Sequence, residues 1–322
     1  MRVVIIGAGH WHLRIYLDNL KKLPGVTIVG VSDPDGEIAQ QTGGSAGCPH
    51  WLDYREMCAL TRPDFAIGLG FHVDMSATAR FLIESGIPFA MEKPCGATSE
   101  EVRQVAALAR AKDAFASVCF AMRASPMIGM IADCAPGERV HYLGFKFVGG
   151  LLSRYPAMKS DWVLERKSSF GGALLNLGIH SLDLTNLLLE GRPEVVAATV
   201  SNALGGRDVE DHATVLLRAG KGTAHVETGY LYPAGRSVFD MHFMFRTDRH
   251  YFLVENDHTL EIGDESGNWA RHEVPTSNST CYPLFIRETL RRAERGEKPL
   301  ADMDDAANAL ALVEAAYRMS PL

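Results

Sequence analysis

Gly7-Ala8-Gly9-His10-Trp11-His12 stands between an apolar run and a helical pattern. In a strand–turn–helix unit, Gly7 permits the sharp turn and Gly9 lets a pyrophosphate approach the backbone at a helix N-terminus. The third position of that pattern, where glycine lets helix and strand pack closely, is His12. Asp33 ends the next apolar run, in Val31-Ser32-Asp33-Pro34-Asp35. A carboxylate there accepts hydrogen bonds from an adenosine ribose and repels a 2′-phosphate. No Arg or Lys follows through Ala39, and Asp35 and Glu37 add negative charge. NAD is therefore expected in preference to NADP. The same residues also fit an ordinary tight turn and a helix cap.

His10 and His12 carry a different possibility. An H-x-H pair after a first strand also supplies two metal ligands in hydrolases built on (β/α)8 barrels. That needs eight strand–helix units and further ligands at later strand ends, which the second half of the sequence does not supply, so no metal is expected. Farther along, Asn176, His180 and Asp183 fall at i, i+4 and i+7 of a helical pattern. That spacing puts an amide, an imidazole and a carboxylate on one face, which is costly to bury without partners or purpose.

The elements that must position these residues are legible in outline. Strand runs at 3–6, 27–31, 65–69, 88–91 and 115–120 alternate with helical patterns near 11–22, 54–60, 75–85 and 99–112. Ser99 is placed to cap the last of these. Alternation of this kind implies right-handed crossovers and a parallel, doubly wound sheet. After Arg123 the texture changes. A helix is written over 173–189, stopped by Gly191 and Pro193, and β-type runs follow at 195–201, 213–218, 223–230, 239–246 and 250–255. Ala219-Gly220-Lys221-Gly222 reads as a hairpin turn, so an antiparallel sheet is expected. The fold class is α/β: an N-terminal Rossmann doubly wound sheet over 1–121, then an α/β domain over 122–322 with a large, mostly antiparallel sheet. An Ala-rich helix at 304–319 closes the chain and is free to pack back on the first domain.

Composition narrows the function. With 322 residues, 47% apolar and 22% charged, the chain reads as a folded two-domain protein. A net charge of -7 disfavours nucleic acid as a partner. Cys48, Cys58, Cys95, Cys119, Cys134 and Cys281 show neither paired nor zinc-like spacing, which fits reduced thiols. No apolar stretch is long enough to cross a membrane, and the opening run is too short for a signal-peptide core. A cytoplasmic location is the expectation.

Two further segments bear a family resemblance. They are Met91-Glu92-Lys93-Pro94 and the stretch Gly171-Gly172-Ala173-Leu174-Leu175-Asn176-Leu177-Gly178-Ile179-His180-Ser181-Leu182-Asp183-Leu184. Together with the glycine turn and a terminal Ala-Ala-Tyr helix, they resemble the Gfo/Idh/MocA oxidoreductases, the glucose–fructose oxidoreductase and inositol 2-dehydrogenase group. The resemblance runs nearly end to end. It implies a Rossmann domain binding NAD through Gly7, Gly9, His10, Trp11, His12, Asp33, His72, Glu92 and Lys93. It also implies hydride transfer between nicotinamide and a sugar, polyol or related carbinol, and a homodimer or homotetramer formed through the second domain's open sheet. Lys93 then stands by the nicotinamide and the substrate hydroxyl, and His180 matches the catalytic histidine.

The chemistry agrees with these roles. Oxidising an alcohol removes a hydride, which the cofactor takes, and a proton, which a protein base near neutral pKa must take. His180 fits by its intrinsic pKa, and Lys93 fits as a cation stabilising a developing alkoxide. The family's Asp four residues before the His falls on Asn176, which positions a hydroxyl but takes up no proton. A second departure is Gly70-Phe71-His72-Val73-Asp74-Met75, where many relatives carry Thr-Pro-Asn and a His at the position of Met75. His72 is either a cofactor contact or a partly exposed loop histidine. Arg123, Tyr155, Trp162 and Asp183 are candidate substrate contacts, with Arg154, Tyr230 and Tyr232 weaker ones, while Asp183 also suits a structural pair with an Arg. Cys95 reads as a buried thiol. Two other functions remain open on these residues, a non-catalytic NAD-binding sensor of the same family and, more remotely, the metal-dependent hydrolase.

Overall fold

In the computed structural model, which describes residues 1–233 and 239–322, the N-terminal apolar runs form a parallel sheet. Its strands are β1 (Arg2–Ile6), β2 (Thr27–Ser32), β3 (His50–Trp51), β4 (Phe65–Gly68), β5 (Phe89–Met91) and β6 (Ala116–Val118). They lie in the order β3-β2-β1-β4-β5-β6, every described pair parallel. Val3, Val4 and Ile5 are wholly buried, as expected for strands covered by helices on both faces. Strand order reverses between β1 and β4, and ligands collect at the carboxyl ends of strands at such a switch point. This open six-stranded sheet is not a (β/α)8 barrel, which removes the fold that the hydrolase alternative required.

The sheet belongs to one of two compact units. The first contains Met1–Cys119, Tyr155–Trp162 and Phe285–Ala307, and the second contains Phe120–Arg154, Val163–Leu284 and Asn308–Leu322. The chain thus returns to the first unit twice, which a single boundary near 121 does not describe. The last helix, Met303–Met319, passes from the first unit into the second.

Local sequence explains the first unit's helix ends. The cap of helix Ser99–Ala111 is Thr98 and not Ser99: its hydroxyl accepts from Glu101 N–H at 3.2 Å. Glu101 reaches back to accept from Ala97 N–H at 2.8 Å, a reciprocal capping arrangement one residue earlier than expected. Helix Gly36–Ala46 escapes the sequence pattern because Gly43 and Gly44 weaken its helical signal. Asp35 caps it, accepting from Glu37 and Ile38 N–H.

The second unit carries β7 (Val140–Gly150), β8 (Glu194–Ser201), β9 (His212–Ala219), β10 (Gly222–Tyr232), β11 (Asp240–Thr247), β12 (His250–Val254), β13 (Thr259–Asp264) and β14 (Trp269–Glu273). Their order is β14-β13-β12-β11-β7-β10-β9-β8, antiparallel except for the β7–β10 pair. The hairpin at 219–222 joins β9 to β10 as expected. One face is core: Ala213, Val215, Leu217 and Ala219 alternate inward on β9. The helical stretch ending at Leu188 lies on β7 and β10. It is not a single α-helix. Residues Leu174–Gly178 are π-helical, and α-helix resumes at Ile179–Leu188.

Candidate active site

The glycine turn sits at the switch point of the first sheet. Gly7 has φ +79°, and a Cβ there would fall 2.0 Å from the backbone nitrogen of Gly70. Only glycine lets the two turns approach this closely. Gly9 N–H donates to Asp33 Oδ2 at 2.7 Å, and Asp35 N–H donates to Oδ1 at 3.0 Å. Burial raises the Asp33 carboxyl from its ordinary value, and these two N–H groups partly offset the effect. Each carboxylate oxygen keeps acceptor capacity for a ribose hydroxyl.

A cavity of about 320 Å3 opens over this turn. Gly7, Gly9, His10, Asp33 and Trp162 line it, together with Ser32, Tyr54, Arg55, Gly70 and Phe71. Three of its polar atoms, His10 Nε2, Ser32 Oγ and Trp162 Nε1, are buried with no hydrogen-bond partner among the described residues. A cradle that a Cβ would fill, a buried acid at the end of β2 and unpartnered polar groups fit a dinucleotide. Trp162, expected to touch substrate, therefore stands in this cavity.

Trp11, His12, His72, Glu92 and Lys93 do not line that cavity; they form a cluster in which His72, Glu92 and Lys93 are buried and Trp11 and His12 are half-buried. Trp11 stacks on His10 with centroids 3.8 Å apart and meets Tyr155 edge-on at 5.6 Å. His72 is buried, not partly exposed, with its ring edge-on to Trp162 at 5.0 Å. Lys93 is fully buried, its Nζ 5.5 Å from the Trp11 ring centroid. Glu92 is fully buried as well. It accepts from Tyr16 Oη at 2.9 Å, and its Oε1 lies 3.1 Å from His12 Nδ1. Burial alone would raise the Glu92 carboxyl; the charge and hydrogen bond of His12 lead the groups that hold it well below the usual range. Burial keeps His10 well below its ordinary value, and His12 adds to the effect. Burial pushes the Cys95 thiol far up, and its Sγ donates to the Glu92 carbonyl at 3.3 Å, so it is the inert thiol the sequence indicated.

In the second unit, Asn176 stands on the π-helical turn, and His180 and Asp183 stand on the α-helix that follows. Asn176 Nδ2 donates to Tyr230 Oη on β10 at 2.9 Å. His180 instead meets Phe120 edge-on at 5.9 Å. Asp183 forms a two-pronged pair with Arg123, Nη2 to Oδ1 at 2.6 Å and Nε to Oδ2 at 2.9 Å. Two candidate substrate contacts are thus paired with each other, in the structural arrangement the sequence also allowed. Arg154 lies over Tyr230, 5.5 Å from the ring centroid. The helix start is fixed by Glu210, buried and accepting from Gly172 N–H at 2.9 Å, Leu174 N–H at 2.8 Å and Tyr317 Oη at 2.7 Å. A Cβ on Gly172 would lie 1.9 Å from the Glu210 carbonyl oxygen, so the glycine pair serves close packing.

Residues 1–120 match the family described as an oxidoreductase family with an NAD-binding Rossmann fold, and residues 145–251 match the GFO/IDH/MocA C-terminal domain. The chain belongs to the Gfo/Idh/MocA family. Membership makes it a member of an NAD-binding oxidoreductase family and agrees with both sheets. No curated protein sequence matches it. Solved structures share the fold at low identity. One is GenD2 from gentamicin A biosynthesis in complex with NAD, at 20% identity and TM-score 0.83, covering 99% of this chain and 93% of that one. Another is levoglucosan dehydrogenase with NADH and levoglucosan, at 16%, 0.82, 99% and 98%. A third is a putative myo-inositol dehydrogenase from Sinorhizobium meliloti 1021, at 20%, 0.78, 99% and 97%. Among the described residues, no helix is long and apolar enough to cross a membrane.

Sequence reasoning missed Arg55 and Tyr54. Both line the cavity that holds Asp33, and the Arg55 guanidinium lies 4.6 Å from the Tyr54 ring centroid. They follow a two-residue strand too short to leave a pattern, so a search for basic residues near Asp33 in sequence does not reach them.

Proposed function

We propose that this Gfo/Idh/MocA protein transfers a hydride between NAD and a carbinol of a sugar, polyol or sugar derivative. The cavity on the glycine turn, with buried Asp33 at its ribose end, carries the proposal. Gly7, Gly9, His10, Asp33 and Trp162 would hold the dinucleotide, with Trp11, His12, His72 and Glu92 forming the packed wall beside them. When bound, NAD supplies the hydride acceptor. His180 takes or returns the hydroxyl proton, Lys93 stabilises the developing alkoxide, and Asn176 orients a hydroxyl without taking its proton. The family match and the names of the fold neighbours, which act on or bind sugars and inositols, support this substrate class. NAD is the preferred form because the Asp33 carboxylate repels a 2′-phosphate.

We also infer a homo-oligomer formed through the face of the second sheet that carries Lys146, Glu227 and His242 around an open groove. The scattered cysteines, with neither paired nor zinc-like spacing, fit a reducing, cytoplasmic setting.

NADH formation against a panel of sugars, inositols and their phosphates and acids tests the central reading. Turnover of at least one member is expected. Binding of NAD with no turnover across the panel would leave a sensor in place of an enzyme.

A further inference from the structure

We propose that His10, His12 and Glu92 form a binding site for one zinc-class divalent cation. Each residue offers one ligand atom, and the three atoms lie within 4.8 Å of one another. Two imidazoles and a carboxylate are the nitrogen and oxygen donors that zinc accepts, and three protein ligands leave a position open for water. The chain topology explains the convergence. His10 and His12 leave the end of β1 two residues apart, and Glu92 follows β5 directly, in the same parallel sheet. His12 occupies the position where the glycine pattern expects its third glycine, so the imidazole reaches Glu92 because this sequence departs from that pattern.

Ligation changes the hydrogen bonding of His10. His12 N–H donates to His10 Nδ1 at 3.1 Å, which places the proton of the neutral ring on Nε2, so the cation displaces either that proton or that hydrogen bond. His10 Nε2 is buried without a hydrogen-bond partner among the described residues. Glu92 Oε1, the oxygen that faces His12 Nδ1, also accepts from Tyr16 Oη, which holds the carboxylate in place as the outer partners of metal ligands do. His12 is the least buried of the three, at 18% side-chain exposure, and gives an entry path.

Two features oppose the ion. Lys93 is a buried cation next to Glu92 in sequence, and ligation disturbs the bond between His12 N–H and His10 Nδ1. A single backbone hydrogen bond is small beside a set of metal–ligand bonds. The cation also takes over the position between His12 Nδ1 and Glu92 that a proton holds in the metal-free protein; that proton moves to the other ring nitrogen or to solvent.

The test uses the full chain, stripped with a chelator and titrated with ZnCl2 by calorimetry. One Zn2+ per chain is expected, with a rise in unfolding temperature. Loss of a ligand should exceed the roughly 10–100-fold that loss of a ligand's outer partner costs. His10→Gln, His12→Gln and Glu92→Gln should therefore each weaken binding by about 100-fold or more. Co2+ in place of Zn2+ should give visible absorption that His12→Gln abolishes. Absence of saturable one-to-one binding overturns the proposal. So does unchanged affinity in His12→Gln, which would place the ion elsewhere, for instance at His250 and Glu138. If Glu92→Gln does not fold, the half-buried His12 variant still decides. None of these readouts depends on turnover, so failure here leaves the dehydrogenase reading standing.

Discussion

At the scale of single residues, cofactor choice rests on Asp33 and its surroundings. Its carboxylate is buried and tied to two backbone N–H groups, while Arg55 lines the same cavity from the first turn of helix Tyr54–Thr61. Asp33→Asn keeps an acceptor and removes the charge. The NADP-to-NAD preference should then rise by about tenfold or more, roughly 1.4 kcal/mol. Adding Arg55→Ala should take most of that gain away, and paired dissociation constants for the two cofactors read both effects. Gly7, Gly9 and Asp33 were legible in the sequence because backbone geometry and charge demand those residue types at fixed spacing. Arg55 and Trp162 were not, since only the folded chain brings helix Tyr54–Thr61 and the 3-10 turn Asp161–Leu164 to the cavity. The pairing of Arg123 with Asp183 was legible only as one alternative, because the two lie 60 positions apart.

At the scale of elements, the helix bearing Asn176 and His180 depends on a buried carboxylate at its start. Glu210→Gln sets an amide N–H2 against donors and should destabilise the protein by about 1–3 kcal/mol; Tyr317→Phe removes one donor and should cost about 1 kcal/mol. Thermal unfolding of the two variants orders them. A second carboxylate, that of Glu138, accepts from Thr247 Oγ1, Arg249 N–H and the Arg249 guanidinium at the turn between β11 and β12. Burial alone would raise its pKa, but hydrogen bonds from Thr247, Arg249 and His250 outweigh it and bring it down to about 2. A depressed carboxyl stabilises the fold above its unfolded value and loses that contribution as pH falls through the folded value. Stability should therefore drop between about pH 4.5 and pH 2. Glu138→Gln should flatten that part of the acid-unfolding curve.

Element type was readable where the pattern was strong. The parallel strands of the first sheet and the β9–β10 hairpin follow from apolar runs and turn glycines. β7 was missed although it lies inside the second sheet, because Gly144, Gly149 and Gly150 dilute its β signal. Helix Asn278–Arg295 was missed with Pro283 inside it. The π-helical turn at Leu174–Gly178 leaves no mark in the apolar period, so the sequence pattern reads the whole stretch as one α-helix.

At the scale of the molecule, the order of strands in the first sheet and the mixed eight-stranded second sheet agree with membership in an oxidoreductase family. The order of motifs along the chain made that family recognisable, whereas the way the chain returns to its first unit is a property of packing. The most direct test of the hydride-transfer account compares turnover and NAD affinity in Lys93→Ala and His180→Ala. Each should lower kcat by roughly 100-fold or more, the contribution typical of a positioned acid–base group, with the NAD dissociation constant nearly unchanged. Full turnover in both variants would contradict the account.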